Sequence, residues 1–374
     1  MTDRIWVLGA PDPEMEVIES LLRECGEHVA YAVNERGERV RGGEAYRAHV
    51  ALSKAPSAIY LVECHVDVDA AIDDIGGTDR VIDVRRIDHH RPGDPGYGRP
   101  PEKFLPASSI GQVIATLARL MLPLGWETIA GPSWPWESGT YEMTTVRDRR
   151  VWRSDPGVYD TSGEWDWAVS CGAGCWYLVP RDLVIAAAAD HCLAHAYAGE
   201  CPGVDPDALM RWRAETRAAH QGRSVEELLA DVEAAREALR RADPISLTAR
   251  PNCTRCNGSG MYYDAHGYDS ASGQPTADGY ALCTCGGYEP QWAADLRGQH
   301  VPELPEASAR EGECFVADGL PGPDGRVKIV CQSGTPEEIE AFMRVWAPAQ
   351  GLIDIYGDPA RGFAGGYLPQ LAVS

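Results

Sequence analysis

The chain has 374 residues, 44% of them hydrophobic and 24% charged, which is typical of a soluble globular protein with room for two or three domains. Its formal net charge of -22, from 56 acidic and 34 basic residues, disfavours binding along an extended nucleic-acid backbone. No apolar run approaches the roughly 20 residues that span a bilayer, and the N-terminus lacks a signal-peptide core. We therefore expect a cytoplasmic protein with no membrane partner.

Strands and helices alternate in the first third of the chain. The predicted elements are a strand in RIWVLGA, a helix in PEMEVIESLLREC that Gly26 ends, strands in SAIYLVECHVD and DRVIDVRRIDHH, and a helix in SSIGQVIATLARLML capped by Ser108 or Ser109. Apolar strands separated by helices predict an α/β fold with a mainly parallel sheet.

The remaining segments differ in composition, which predicts further domains. Residues 126–176 hold seven of the eleven tryptophans, and their alternating pattern with turn signals predicts a β-hairpin insert in a catalytic domain over 1–205. Charged helical sequence follows over 206–249 and predicts a helical linker. The segment 250–290 is rich in glycine and cysteine, and 300–374 predicts a small α/β domain.

Acids or histidines follow each of the three predicted strands. In a parallel sheet these strand ends share one edge, so the side chains can converge there. Several carboxylates and imidazoles would repel one another unless cations lay between them, and mixed oxygen and nitrogen ligation suits Mn²⁺. Taken singly, Asp12 could also be a helix N-cap and Glu63 a solvated acid. The residues after the strands are Asp12, Glu14, Glu63, His65, Asp88, His89 and His90.

The same segments resemble the motifs of the DHH superfamily of phosphoesterases, which includes family II pyrophosphatases, exopolyphosphatases, RecJ-type exonucleases and oligonucleotide or cyclic-dinucleotide phosphodiesterases. Asp88-His89-His90 matches the signature tripeptide. GAPDPEM is similar to the first motif, YLVECH to the second, ASSIGQVI to the serine-rich helix start, and AAAADHCLAHAYAGECPG to the fourth motif with its aspartate at Asp190.

The resemblance implies a metal-dependent catalytic site that binds one or two Mn²⁺ ions. It assigns metal ligation to Asp12, Glu14, Glu63, His89 and Asp190. It makes Asp88 a residue that orients the neighbouring imidazole, and His90 a contact to the substrate phosphate that can protonate the leaving oxygen.

Two departures from the family pattern concern the ligands. Leu8 stands where the first motif usually has a histidine, and Glu14 and Glu63 replace aspartates. His65 or His191 could fill the missing position. The number of metals, from none to two, therefore stays open.

Four of the twelve cysteines form two close pairs, Cys253-x2-Cys256 and Cys283-x-Cys285. The first pair, followed by NGSG, resembles half of a DnaJ-type zinc module. Four thiolates in this arrangement predict a closed structural Zn²⁺ site, and unrelated free thiols are the alternative.

A glycine-rich segment near the C-terminus, YGDPARGFAGGYLP, is similar to the substrate loop of the DHH-associated C-terminal domain. Arginine can bind phosphate through two N–H groups, and glycines let backbone amides approach an anion. We expect Arg361, Gly362, Gly365 and Gly366 to bind substrate, with an ordinary turn as the alternative.

These observations predict a phosphoesterase that hydrolyses a phosphodiester or phosphoanhydride bond in a small, nucleotide-type substrate. One alternative is a single-strand nucleic-acid exonuclease of the same superfamily, in which the tryptophans stack bases. The other is a catalytically degenerate nucleotide-binding protein.

Overall fold

The computed structural model describes fifteen segments of the chain, which form two compact units divided after Ser224. The described residues are 4–41, 44–76, 81–120, 124–126, 128–130, 143–146, 149–154, 158–162, 166–172, 175–248, 261–263, 280–282, 291–319, 325–333 and 335–369.

The first unit is built on a four-stranded parallel sheet. Its strand order is β2-β1-β3-β4: β2 pairs with one edge of β1, and β3 and then β4 follow on the opposite edge. The elements are β1 (Arg4–Leu8), α1 (Pro13–Glu24), β2 (Val29–Tyr31), β3 (Ala58–Val62), α2 (Val68–Asp73) and β4 (Asp83–Ile87).

The central strands β1 and β3 are buried on both faces of this sheet. Alternate residues of each strand point to opposite faces, and each face is covered by other parts of the first unit. Trp6 and Tyr60 stack at 4.3 Å between ring centroids on the face that α1 covers. Val7 and Ile59 lie in the core of the other face, which α2 and the residues before β3 cover. The apolar runs in β1 and β3 follow from this double burial.

Four more helices complete the first unit. They are α3 (Phe104–Ala107), α4 (Ser109–Arg119), α5 (Arg181–Tyr197) and α6 (Pro206–Gln221). Helices α4 and α5 pack against α1 and against each other, with Leu117 and Val184 in the shared core.

The described strands between residues 128 and 179 form an antiparallel sheet. Its order is β5-β10-β9-β8-β7-β6, and Trp167 of β9 is buried against Phe104 at 5.3 Å between ring centroids. The strands are β5 (Thr128–Ala130), β6 (Met143–Val146), β7 (Arg149–Ser154), β8 (Val158–Ser162), β9 (Asp166–Gly172) and β10 (Cys175–Val179).

The second unit contains a six-stranded mixed sheet of order β11-β14-β15-β16-β18-β17 and a separate β12-β13 ribbon. Its elements are α7 (Val225–Arg241), β11 (Pro244–Ser246), β12 (Met261–Tyr263), β13 (Tyr280–Leu282), β14 (Trp292–Leu296), α8 (Leu304–Glu311), β15 (Phe315–Asp318), β16 (Lys328–Gln332), α9 (Pro336–Ala341), α10 (Ala347–Ala349), β17 (Ile353–Asp358) and β18 (Phe363–Tyr367).

The predicted mixed α/β fold with a parallel sheet is thus confirmed. The helical segment 206–249 does not form one linker, since α6 belongs to the first unit and α7 to the second. None of the described helices combines the length and apolar character needed to cross a membrane.

Candidate metal centre

The carboxyl ends of β3 and β4 bring Glu63, His89 and His90 together. The two strands pair in parallel with Val62 opposite Ile87, and the backbone N–H of Glu63 donates to the Ile87 carbonyl at 2.9 Å. One carboxylate oxygen of Glu63 and one ring nitrogen of each histidine all lie within 4.8 Å of one another. The predicted convergence at this sheet edge therefore holds for these three residues.

The backbone at Glu63 has an unusual conformation that accompanies this arrangement. Its φ is +49°, in the left-handed region that residues with a side chain rarely adopt. Gly9, after β1, lies against it, and a Cβ at Gly9 would approach the Glu63 carbonyl oxygen to 2.5 Å. A glycine at position 9 thus allows the ends of β1 and β3 to pack closely.

Asp88 is completely buried and holds the histidines in place. Its Oδ1 accepts from the backbone N–H groups of His89 at 2.7 Å and His90 at 3.1 Å, and lies 2.8 Å from His90 Nδ1. Its Oδ2 accepts from the Tyr46 hydroxyl at 2.9 Å. Burial alone would raise the Asp88 pKa, but the hydrogen bonds from His90 and Tyr46 bring it below its ordinary value.

An ionised Asp88 requires the proton of His90 to lie on Nδ1, since a carboxylate only accepts. Nε2 is then the nitrogen with which His90 would meet a ligand. This is the orienting contact that the resemblance assigns to Asp88.

Asp190 reaches the same site from α5. His89 is also fully buried, and its Nε2 lies 3.4 Å from Asp190 Oδ1. Asp190 Oδ2 accepts from the backbone N–H of Ser109 at 3.0 Å, at the start of α4. The two helices therefore position Asp190 beside the signature tripeptide.

Asp12 adds a further carboxylate at the start of α1. Burial first, and then the charge of Glu14, raises the Asp12 pKa from 3.8 to about 6. The pKa of Glu63 is also raised well above its ordinary value, by burial and then by the charges of Asp190, Asp12 and Asp88. These mutual effects show one acidic cluster drawn from four segments of the chain.

This donor set fits a divalent cation. Buried carboxylates with raised pKa values and two imidazoles are stabilised when a cation lies between them, and Mn²⁺ accepts both oxygen and nitrogen ligands. Asp12, Glu63, His89, His90 and Asp190 are the residues that could hold one.

Glu14 has a different partner. Its Oε1 forms an ion pair with Arg213 Nη1 of α6, and both side chains are largely buried. An arginine thus neutralises the second acid of the first motif, and Glu14 is not part of the group that Glu63, His89 and His90 form among the described residues.

Neither histidine suggested for the missing first-motif position joins that group. His191 Nε2 lies 3.0 Å from the Arg99 carbonyl oxygen. His65 is exposed, lies 3.5 Å from Arg86, and lines a cleft of about 880 Å³ to which none of the candidate ligands contributes. Both have polar partners outside the candidate ligand set.

The glycine-rich C-terminal segment is not a continuous loop, which corrects the expectation for it. Gly365 and Gly366 lie inside β18, where they pair with Val330 and Ile329 of β16. Of the four residues, only Arg361 and Gly362 lie in a turn, directly before β18. Gly362 has φ +74°, and a Cβ there would approach the Ser333 carbonyl oxygen to 2.1 Å. The guanidinium of Arg361 lies 5.1 Å from the Phe363 ring.

Tyr46 and Arg213 are contacts of this site that the sequence did not predict. Tyr46 lies in a short turn between β2 and β3 with no periodic pattern, and Arg213 looks like any charged residue on a helix surface. The four cysteines expected to bind zinc, Cys253, Cys256, Cys283 and Cys285, lie outside the described residues.

Comparison with known proteins adds no relative: no family model matches the chain, and no curated protein matches it in sequence.

Proposed function

We propose that this protein is a metal-dependent phosphoesterase of the DHH type that hydrolyses a phosphodiester or phosphoanhydride bond in a small, nucleotide-type substrate. The observation that carries the proposal is the convergence of Glu63, His89 and His90, with Asp190 3.4 Å from His89 and the charge of Asp12 acting on Glu63. These residues come from the motifs that resemble the superfamily, in the same order along the chain.

Asp12, Glu63, His89 and Asp190 would hold Mn²⁺ in this proposal. A bound divalent cation supplies a water of lowered pKa and neutralises charge on the phosphoryl oxygens. Because Arg213 already neutralises Glu14, Asp12 is the first-motif carboxylate without an arginine partner among the described residues, which favours one tightly bound ion over two.

Asp88 and His90 would act on the substrate itself. Asp88 fixes the His90 ring through Nδ1, so His90 Nε2 faces the substrate side as a contact to the phosphate. In its protonated form, His90 would donate a proton to the leaving oxygen. Both roles require the Asp88 carboxylate to remain ionised, which its lowered pKa favours.

The finer architecture is also part of the proposal. Residues 300–374 would be the DHH-associated domain, with Arg361 as its substrate contact, and the four cysteines would bind a structural Zn²⁺ ion.

A nucleotide-binding protein without turnover is the second candidate. The ion pair between Glu14 and Arg213 favours it, because an internal cation there takes the place of a metal.

The test is a hydrolysis screen of the Mn²⁺-loaded protein against pyrophosphate, cyclic dinucleotides, short oligonucleotides and nucleoside polyphosphates. We expect turnover of a small substrate, and we expect Asp190→Asn to lower kcat by about 100-fold or more, because it removes a ligand charge but keeps the oxygen that accepts from Ser109. Asp182→Asn, at an exposed position of the same helix, is the matched control and should keep full activity.

The outcomes separate the candidates. Nucleotide binding with no turnover supports the second candidate, and turnover of oligonucleotides alone supports an exonuclease. Full activity of Asp190→Asn would show that the catalytic site lies elsewhere.

A further inference from the structure

Arg91 directly follows the signature tripeptide and lies flat against a ring that belongs to the candidate centre. The central carbon of its guanidinium is 3.4 Å from the centroid of the Tyr46 ring. A guanidinium over an aromatic face is attracted by the ring quadrupole, and its N–H groups remain in its plane, directed outward.

The same hydrogen-bond network positions His90 and the Tyr46 ring. The Tyr46 hydroxyl donates to Asp88 Oδ2 at 2.9 Å, while Asp88 Oδ1 lies 2.8 Å from His90 Nδ1. The edge of the Tyr46 ring faces the His90 ring at 6.5 Å between centroids. The Tyr46 ring that Arg91 stacks on is therefore held in a fixed position relative to the His90 imidazole.

The Arg91 backbone is anchored as well. Its N–H donates to Asp94 Oδ2 at 2.7 Å, and the other oxygen of Asp94 accepts from Arg86 at 3.1 Å. Asp94 is buried, so this turn has little freedom, and less conformational entropy is lost when the arginine binds a ligand.

No ion pair among the described residues neutralises the positive charge of Arg91. Its side chain is exposed, and within the described part of the chain its guanidinium makes no hydrogen bond or ion pair. The two acids of the same turn have other side-chain partners: Asp88 contacts Tyr46 and His90, and Asp94 contacts Arg86. Arg91 therefore has a positive charge that no ion pair of the described segments uses, in a chain of net charge -22. This charge is suited to binding an anionic ligand.

We propose that Arg91, stacked on Tyr46, binds an oxyanion of the substrate's phosphoryl group beside His90. The inference rests on the proposed function and adds a phosphate-binding residue within the first unit itself. Arginine can contact two phosphate oxygens through parallel N–H groups, and the Tyr46 ring sets the plane in which they lie.

The experiment measures the binding of inorganic phosphate to the full-length, Mn²⁺-loaded protein by calorimetry. Arg91→Ala should weaken phosphate binding by about 10- to 100-fold, the effect of losing a charge-assisted hydrogen bond. The affinity for Mn²⁺ itself should stay within about twofold, because Arg91 is not a ligand. Arg91→Lys, which keeps the charge but not the planar fork, should bind phosphate with intermediate affinity.

Arg47→Ala is the matched control. Arg47 is also an exposed arginine, it is adjacent to Tyr46 in sequence, and it lines the 880 Å³ cleft, to whose lining Arg91 does not contribute. Its removal should leave phosphate binding unchanged. Equal losses in both variants would show only a general charge effect and would overturn the inference, as would an unchanged affinity in Arg91→Ala or no phosphate binding by the wild-type protein.

The inference and the proposed function can fail separately. Phosphate binding that depends on Arg91, without hydrolysis of any substrate, supports the inference and refutes the phosphoesterase. Hydrolysis with an unchanged KM in Arg91→Ala supports the phosphoesterase and refutes the inference.

Discussion

The Asp12 carboxylate caps a helix and also lies in surroundings that disfavour its charge. It accepts from the backbone N–H of Met15 at 2.7 Å and so caps α1. The same carboxylate is partly buried beside Glu14, and its removal from water together with the charge of Glu14 raises its pKa to about 6. The folded protein therefore holds a proton on Asp12 more tightly than the unfolded chain does.

This pKa has a direct consequence for the stability of the metal-free protein. A folded-state pKa raised from 3.8 to about 6 means that stability is fully present at low pH and is lost as the pH rises through about 6. Asparagine keeps the cap but never ionises. We expect Asp12→Asn to raise the free energy of unfolding at pH 7.5 by about 1 to 3 kcal/mol and to leave it nearly unchanged at pH 4.

Urea denaturation of the metal-free protein at the two pH values measures this effect. Mn²⁺ should reverse the order at pH 7.5, because the charged aspartate carboxylate ligates it more strongly than a neutral amide does. A less stable Asp12→Asn protein without metal would contradict the electrostatic account.

At the scale of elements, the N-terminus of α4 makes a hydrogen bond to α5 beside the strand ends. Ser108 is the N-cap: its hydroxyl oxygen accepts from the Gly111 N–H at 3.0 Å. The next residue presents its own backbone N–H to Asp190 Oδ2. The direction of α4, which the cap sets, therefore determines where Asp190 is held.

Ser108→Ala should lower the free energy of unfolding by about 1 to 2 kcal/mol, because a buried helix-end N–H loses its partner. Thr116→Ala is the control on the same helix, since its hydroxyl bonds to the Gln112 carbonyl within the turn and contributes little to stability. Thermal unfolding of both variants measures the difference. Equal losses would show that the cap has no special importance.

The elements that sequence predicts well are those with a local signal. The buried runs of β1 and β3 and the caps at Asp12 and Ser108 depend on neighbouring residues alone, and the structure has them where the pattern predicts. The edge strand β4 is exposed except at Ile87, and it was still found because β-branched residues precede its polar end.

The site contacts that were missed depend on residues distant in sequence. Tyr46 meets Asp88 only because the chain between β2 and β3 returns to the sheet edge. Arg213 meets Glu14 because α6 packs near α1. Gly365 is disfavoured in strands by its own propensity, yet its neighbours in β16 and β17 pair with it, so a loop was the wrong prediction.

At the scale of the whole molecule, the division after Ser224 separates two helices of similar composition. Leu209 and Ala214 of α6 are buried in the first unit, whereas Leu228 and Val232 of α7 are buried in the second. Both helices have one apolar face, so periodicity predicts helix for each and does not reveal which core each face joins.

The net charge of the whole molecule distinguishes a small substrate from a nucleic-acid strand. A protein that tracks a strand neutralises many phosphates, and its affinity then falls steeply with salt, with a slope of about -0.7 per phosphate for single strands. A chain with 56 acids and 34 bases repels a polyanion at long range, and Arg91 offers one contact beside the centre.

We therefore expect single-stranded DNA to bind more weakly than about 100 µM at physiological salt. A dinucleotide lacks the condensed counterions of a long strand, so its affinity should fall only weakly with salt, with a logarithmic slope shallower than about -0.7, and Arg91→Ala should make the slope shallower still. Fluorescence anisotropy over a salt series measures both ligands, with Arg47→Ala as the control that keeps the slope. Nanomolar affinity for the strand with a slope of several units would instead require a basic groove, and it would favour the exonuclease over an enzyme for small substrates.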